Sequence, residues 1–182
     1  TPRQQDSLLT QGKKGNGKKL FSTPVRSDDY LRFLVFELKP FIDSTFATLP
    51  DKKHTYIAGS SMGGLISLYA MSEYPHIFGG AACLSTHWIG SFQSENNPIP
   101  EAMLRYFKER APLLKKHKLY FDYGGKGLDA FYRPWQQKID VIYRKAGLKK
   151  KQFKSLYFAN DGHDESAWAK RLHIPMQFLM SK

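Results

Sequence analysis

The chain has 182 residues, 41% of them hydrophobic and 14% aromatic, enough for one domain with a sizeable core. No apolar run reaches transmembrane length, and a single cysteine, Cys83, excludes an internal disulfide. The net charge of +12 would attract nucleic acid or an anionic surface, yet the densest runs of positive charge (Lys13, Lys14, Lys18, Lys19 and Lys149, Lys150, Lys151, Lys154) read as two solvated loops, and the chain has no nucleic-acid-binding signature.

The chain opens on Thr1 rather than Met, so the lack of a targeting segment leaves bacterial cytoplasm and periplasm both open. Residues 1–26 are polar and Gly/Lys-rich and predict a long surface loop, of low complexity over 11–19. Ser27, Asp28 and Asp29 suit a helix start. Tyr30, Phe33, Leu34, Leu38, Phe41 and Ile42 then recur at helical spacing to about residue 45, with a bend expected at Pro40. Residues 53–58 predict a short buried strand. Leu65, Leu68, Tyr69 and Met71 fit a helix that ends before Pro75. A second strand is expected over 79–84, with Cys83 as a buried, inert thiol. Residues 85–100 form a loop holding His87, Trp88 and Phe92, and a helix follows over 100–110. The third strand, 118–123, is closed by Gly124-Gly125-Lys126-Gly127. A helix over 131–146 ends at Gly147. The fourth strand spans 153–159. After the turn Asp161-Gly162-His163, a final helix over 165–180 is broken or kinked at Pro175.

Strands alternate with helices throughout. The pattern predicts a single α/β domain over 1–182, with a mostly parallel sheet covered by helices on both faces. Ligands of such sheets bind at the carboxyl ends of the strands, so the loop after each strand is where chemistry is expected.

The loop after the first strand carries G-x-S-x-G, read as Gly59, Ser61 and Gly63. In a nucleophile elbow the serine sits on a strained strand-to-helix turn, and small flanking residues leave room for it. Ser61 is the candidate nucleophile, and the N–H of Met62 would point at a developing oxyanion. A serine hydroxyl needs a base. His163, after the fourth strand, has the placement that His54, His76, His117 and His173 lack. Asp129, just past the glycine turn, is the first candidate for the carboxylate that orients the base. Asp122 is the second, and Asp161 or Asp164 remain, although Asp164 reads more simply as a helix N-cap. The order Ser, Asp, His is that of α/β hydrolases. His87, Trp88, Phe92 and Trp135 are candidates for lining a substrate pocket, with core packing the alternative for the aromatic ones. No Cys/His cluster has the spacing of a zinc site.

Three blocks carry a resemblance: Gly59-Ser60-Ser61-Met62-Gly63-Gly64-Leu65, Tyr120-Phe121-Asp122-Tyr123-Gly124, and Gly162-His163 with Glu165 and Trp168. Over residues 28–178 the chain resembles the esterase D-like family of α/β hydrolases, which includes siderophore esterases, feruloyl esterases and the antigen 85 mycolyltransferases. The resemblance implies a serine carboxylesterase free of metal and cofactor. Its nucleophile falls on Ser61, its acid on Asp129 and its base on His163, and its substrate would be a small ester or thioester. A siderophore-type trilactone esterase, or an esterase-like binding protein without activity, are the alternatives. The family fold places several strands and a helix before the segment 30–45, and one of the loops there supplies a second oxyanion donor. The chain thus resembles the C-terminal two-thirds of such an esterase. The strand at 53–58 is then expected at a sheet edge, where a second copy could pair with it.

Overall fold

The computed structural model describes residues 25–90 and 96–181. The expectations for the loop before residue 25 and for Phe92 lie outside them.

Four strands form one parallel sheet in the order β1 (Tyr56–Ser60), β2 (Gly80–Leu84), β3 (Lys118–Gly124), β4 (Phe153–Phe158). Helices cover both faces, as the alternating pattern predicts. On β2 the side chains alternate: Ala81 and Cys83 enter one core with Leu68, Met71, Leu119, Phe121, Ile139 and Tyr143, while Ala82 and Leu84 enter a second with Tyr120, Phe178 and Leu179. The first core lies under α1 (Ser27–Phe33), α3 (Met62–Glu73), α4 (Ile99–Arg110) and α5 (Arg133–Lys145). The second lies under α6 (Glu165–Arg171) and α7 (His173–Met180). Burial within the first core pushes the Cys83 thiol up, so it stays protonated.

Most boundaries fall within two residues of the sequence expectation; three elements differ further, each for a local reason. The first strand starts at Tyr56, not residue 53. Asp51 caps a 3-10 turn over Lys52–His54, its Oδ1 accepting from the Lys53 N–H at 2.8 Å and its Oδ2 paired with His54 Nδ1 at 2.7 Å. The first helical stretch is interrupted. α1 runs through a π turn over Leu34–Leu38 into α2 (Lys39–Thr45). Pro40 has no N–H for the carbonyl of Phe36 and its ring would collide with it, and the widened turn just upstream absorbs the conflict. The last helix breaks at Leu172, three residues before Pro175. There Pro175 lies in the first turn of α7, where its missing N–H has no partner to lose. Lys118 Nζ closes the other end of α7 by donating to the carbonyls of Phe178 and Leu179 at 3.2 and 3.1 Å. Among the described residues no helix is long and apolar enough to cross a membrane.

Among the described residues β1 pairs with β2 and with no other strand, so it is the outer strand of the described sheet. All four strands run the same way. Their carboxyl ends therefore gather Ser61, Ser85, the 124–129 turn and the 159–164 turn on one rim.

Candidate active site

Ser61 follows β1 directly and has φ 56° and ψ −120°, a conformation disfavoured for any residue with a Cβ. Backbone bonds hold it there. Its N–H donates to the Leu84 carbonyl at 2.9 Å, and its own carbonyl accepts from Gly64, Leu65 and His87 at 3.1, 3.2 and 3.2 Å. The turn depends on Gly59. A Cβ there would lie 2.4 Å from the backbone carbon of Gly63 and 2.5 Å from its oxygen. The expectation that both glycines leave room is corrected on one side, because a Cβ on Gly63 meets nothing within 4 Å. What matters at Gly63 is its backbone, not its missing side chain. Gly59→Ala is therefore expected to cost about 3 kcal/mol or to prevent folding. Gly63→Ala should fold normally and gain up to about 1 kcal/mol as a helical glycine replaced by alanine. Urea denaturation of both variants checks this; equal costs would mean that the glycine contacts are misassigned.

His163 lies in the turn after β4, 15% exposed at its side chain. Its Nε2 is 2.9 Å from Ser61 Oγ, and its Nδ1 is 2.6 Å from Asp129 Oδ1. A carboxylate only accepts, so Nδ1 carries the proton and Nε2 is left to accept from the serine hydroxyl. The ring is clamped edge-to-face by Trp168, centroids 5.1 Å apart, and by Tyr132 at 5.6 Å. Asp129 is fully buried in the 3-10 turn Gly127–Phe131. Its Oδ2 accepts from the Gly124 N–H and from Ser85 Oγ, both at 2.5 Å. Gly124 is needed for this approach: a Cβ there would stand 2.3 Å from the Asp161 carbonyl and 3.0 Å from Asp129 Oδ2.

The competing carboxylates are occupied elsewhere. Asp122 points toward α6, where it accepts from Arg171 Nη2 at 3.0 Å and from Tyr120 OH at 2.9 Å; burial raises its pKa against the pull of Arg171. Asp161 accepts from Arg171 Nη1 at 2.9 Å. Asp164 caps α6, taking the Ala167 N–H at 2.9 Å.

Met62 is the first residue of α3, so its N–H has no carbonyl one turn back to bond. It sits beside Ser61 at the positive end of the helix. His87 is buried next to the elbow, its Nδ1 2.7 Å from Tyr132 OH, and burial followed by the nearby His163 lowers its pKa. Trp88 is a correction. It is 1% exposed, donates Nε1–H to Gln136 Oε1 at 2.9 Å, and packs on Phe107 and Phe121, so it belongs to the core rather than to a pocket wall. The strand-end loop after β2 instead delivers Ser85 to the site, a residue for which the sequence carries no motif. Its position directly after β2 was the available signal. Trp135 is half-buried on α5, with Lys138 Nζ 4.3 Å from its ring centre.

The sequence model of the family described as "Putative esterase" matches residues 10–175, nearly the whole chain. The chain belongs to this esterase family. Solved structures similar to it include a ferulic acid esterase at 21% identity and TM-score 0.67, where 82% of this chain aligns with 60% of that one. An enterochelin esterase from Shigella flexneri is 20% identical, with TM-score 0.69 over 87% of this chain and 38% of that one. FphF, a fluorophosphonate-binding serine hydrolase of Staphylococcus aureus, is 15% identical, with TM-score 0.61 over 85% and 64%. At these identities the likeness establishes the α/β-hydrolase fold. The chain spans less than two-thirds of the length of each of these three. No curated protein sequence matches it.

Proposed function

We propose that this esterase-family protein hydrolyses a small ester or thioester through an acyl-enzyme formed on Ser61. The observation that carries the reading is the unbroken hydrogen-bonded path from Ser61 Oγ through the His163 ring to Asp129, at 2.9 and 2.6 Å. In the first half-reaction Ser61 Oγ attacks the ester carbonyl carbon while its proton passes to His163 Nε2. The Met62 N–H stabilises the negative oxygen of the tetrahedral intermediate. The bond to the leaving alcohol or thiol then breaks, and His163 returns the proton to it. Water repeats the attack on the acyl-serine, again through His163, and a carboxylic acid leaves. Asp129 orients the ring and stabilises the imidazolium at each stage.

Incubation with a fluorophosphonate probe and peptide mass spectrometry tests the proposal. An adduct on Ser61 is the expected outcome; its absence, or labelling at another residue only, rejects the reading in favour of an esterase-like binding protein. A siderophore-type trilactone presents ester bonds of the same kind to the same residues. Turnover of a cyclic trilactone against p-nitrophenyl acetate decides between the two substrates.

The basic cluster is expected to be dispensable for this chemistry. Lys149, Lys150 and Lys151 are exposed in the connection between α5 and β4, at the amino end of a strand whose carboxyl end leads to His163. A six-residue strand spans roughly 20 Å, more than twice the Debye length of about 8 Å at physiological salt. Reversing all three charges to glutamate should change turnover of a neutral ester by less than about two-fold. A ten-fold fall would mark the cluster as a substrate-binding surface.

A further inference from the structure

Ser85 stands at the carboxyl end of β2, where its backbone takes φ 43°. A positive φ on a residue with a Cβ persists only where the surroundings hold it. The Ser85 N–H donates to the Asp122 carbonyl at 2.8 Å, and the side chain meets three groups. Oγ lies 2.9 Å from Trp168 Nε1, 3.0 Å from Arg171 Nη2 and 2.5 Å from Asp129 Oδ2.

These contacts leave the hydroxyl no choice of role. An indole N–H and a guanidinium N–H can only donate, and a hydroxyl has two lone pairs and one proton. With both lone pairs engaged by Trp168 and Arg171, the one remaining direction for the proton is Asp129 Oδ2, which as a carboxylate oxygen accepts it. The two donors are themselves fixed. Arg171 is 2% exposed and spans Asp122 on β3 and Asp161 in the turn after β4, while Trp168 holds its ring edge-to-face with His163. Together with the Gly124 N–H, Ser85 fills Oδ2 of Asp129 and leaves Oδ1 for His163.

We propose that Ser85, set as a donor by Trp168 and Arg171, is a positioning residue that fixes the rotation of the Asp129 carboxylate and so the aim of the His163 ring at Ser61. This rests on the reading of Ser61, His163 and Asp129 as the catalytic set. Ser85 touches no reacting atom; it acts through Asp129. Losing its bond frees the carboxylate to turn about its last torsion, so the imidazolium is less well held in the transition state than in the parent protein, while binding of a small ester is untouched.

Two substitutions separate the hydroxyl from the backbone. Ser85→Ala removes the hydroxyl and keeps the disfavoured φ; Ser85→Gly removes the hydroxyl and relieves it. Both should lower kcat for p-nitrophenyl acetate roughly ten-fold with KM within about two-fold of the parent, the loss expected when one charge-assisted hydrogen bond is removed. In the NMR spectrum of the full chain, the low-field resonance of the His163 Nδ1 proton, assigned by its loss in His163→Gln, should move upfield and exchange faster with water in both variants. Parent-like kcat and an unmoved resonance in either variant overturn the proposal. The resonance needs no turnover, so it reads Ser85 even if fluorophosphonate labelling of Ser61 were to reject the catalytic reading.

Discussion

Replacing Ser61 by alanine is expected to lower ester turnover by a factor on the order of 10⁶, the loss seen when a sole serine nucleophile is removed. The rest of the arrangement stays in place, since among the described residues the hydroxyl is held by one hydrogen bond, with His163 Nε2, while the elbow is held by backbone bonds to Leu84, Gly64, Leu65 and His87. Stability should therefore hardly change in Ser61→Ala. Ser61→Gly is equally inactive but should be more stable by about 1 kcal/mol, because glycine accepts φ 56° without a Cβ clash. Initial rates on p-nitrophenyl acetate, fluorophosphonate labelling and thermal melting of the three proteins make the comparison. Turnover above about 1% of the parent in Ser61→Ala would mean another nucleophile. A large drop in melting temperature would mean that the hydroxyl is structural.

Arg171→Met is expected to be the most destabilising of the single substitutions on the far side of the site, at about 3–5 kcal/mol. Arg171 and Asp122 are 2% and 0% exposed, and their bond is 3.0 Å long. A carboxylate buried at that depth without its cation keeps its desolvation cost and loses the offsetting charge. Tyr120 OH donates to Asp122 Oδ2 at 2.9 Å, but one neutral hydroxyl cannot replace a guanidinium. The same change releases Asp161 and one of the two donors on Ser85, so activity should fall as well. The double variant Arg171→Met, Asp122→Asn should recover part of the loss, since it no longer buries a lone charge. Urea denaturation gives the three values. A loss below about 1 kcal/mol for Arg171→Met would show that the carboxylate reaches water or simply takes up a proton.

What could be read without the structure was what lies close in sequence. The elbow is a five-residue pattern between a strand and a helix, and Ser61 with Met62 follows from it alone. The parallel sheet follows from the alternation of apolar runs with helical periods, and the rim of strand ends on which the chemistry would fall follows from that sheet. Gly147 ends α5 by a purely local bond pattern, the Leu148 N–H reaching the Tyr143 carbonyl and the Gly147 N–H that of Arg144. Boundaries set by short-range competition were harder, because the Asp51 cap and the conflict at Pro40 act over a few residues against patterns that extend further.

The choice among carboxylates was decided by tertiary structure. Asp122, Asp129, Asp161 and Asp164 all lie within reach of a strand end, and nothing in their neighbours along the chain ranks them decisively. Side-chain direction does. Asp122 lies on the face of β3 that turns to α6, where Arg171 waits 49 residues further along, whereas Asp129 is turned back under His163 by the Gly124 N–H and by Ser85, 44 residues earlier. Trp88 was open in the same way. An aromatic residue in a loop reads alike whether it faces a ligand or a core, and here the partners Phe107, Phe121 and Gln136 claim it. Residue types and local turns thus determine which groups can do the chemistry. Which of them meet is a matter of packing between segments distant in sequence, because a hydrogen bond depends on ångström distances and on the direction of a side chain, and neither is encoded by the residues beside it.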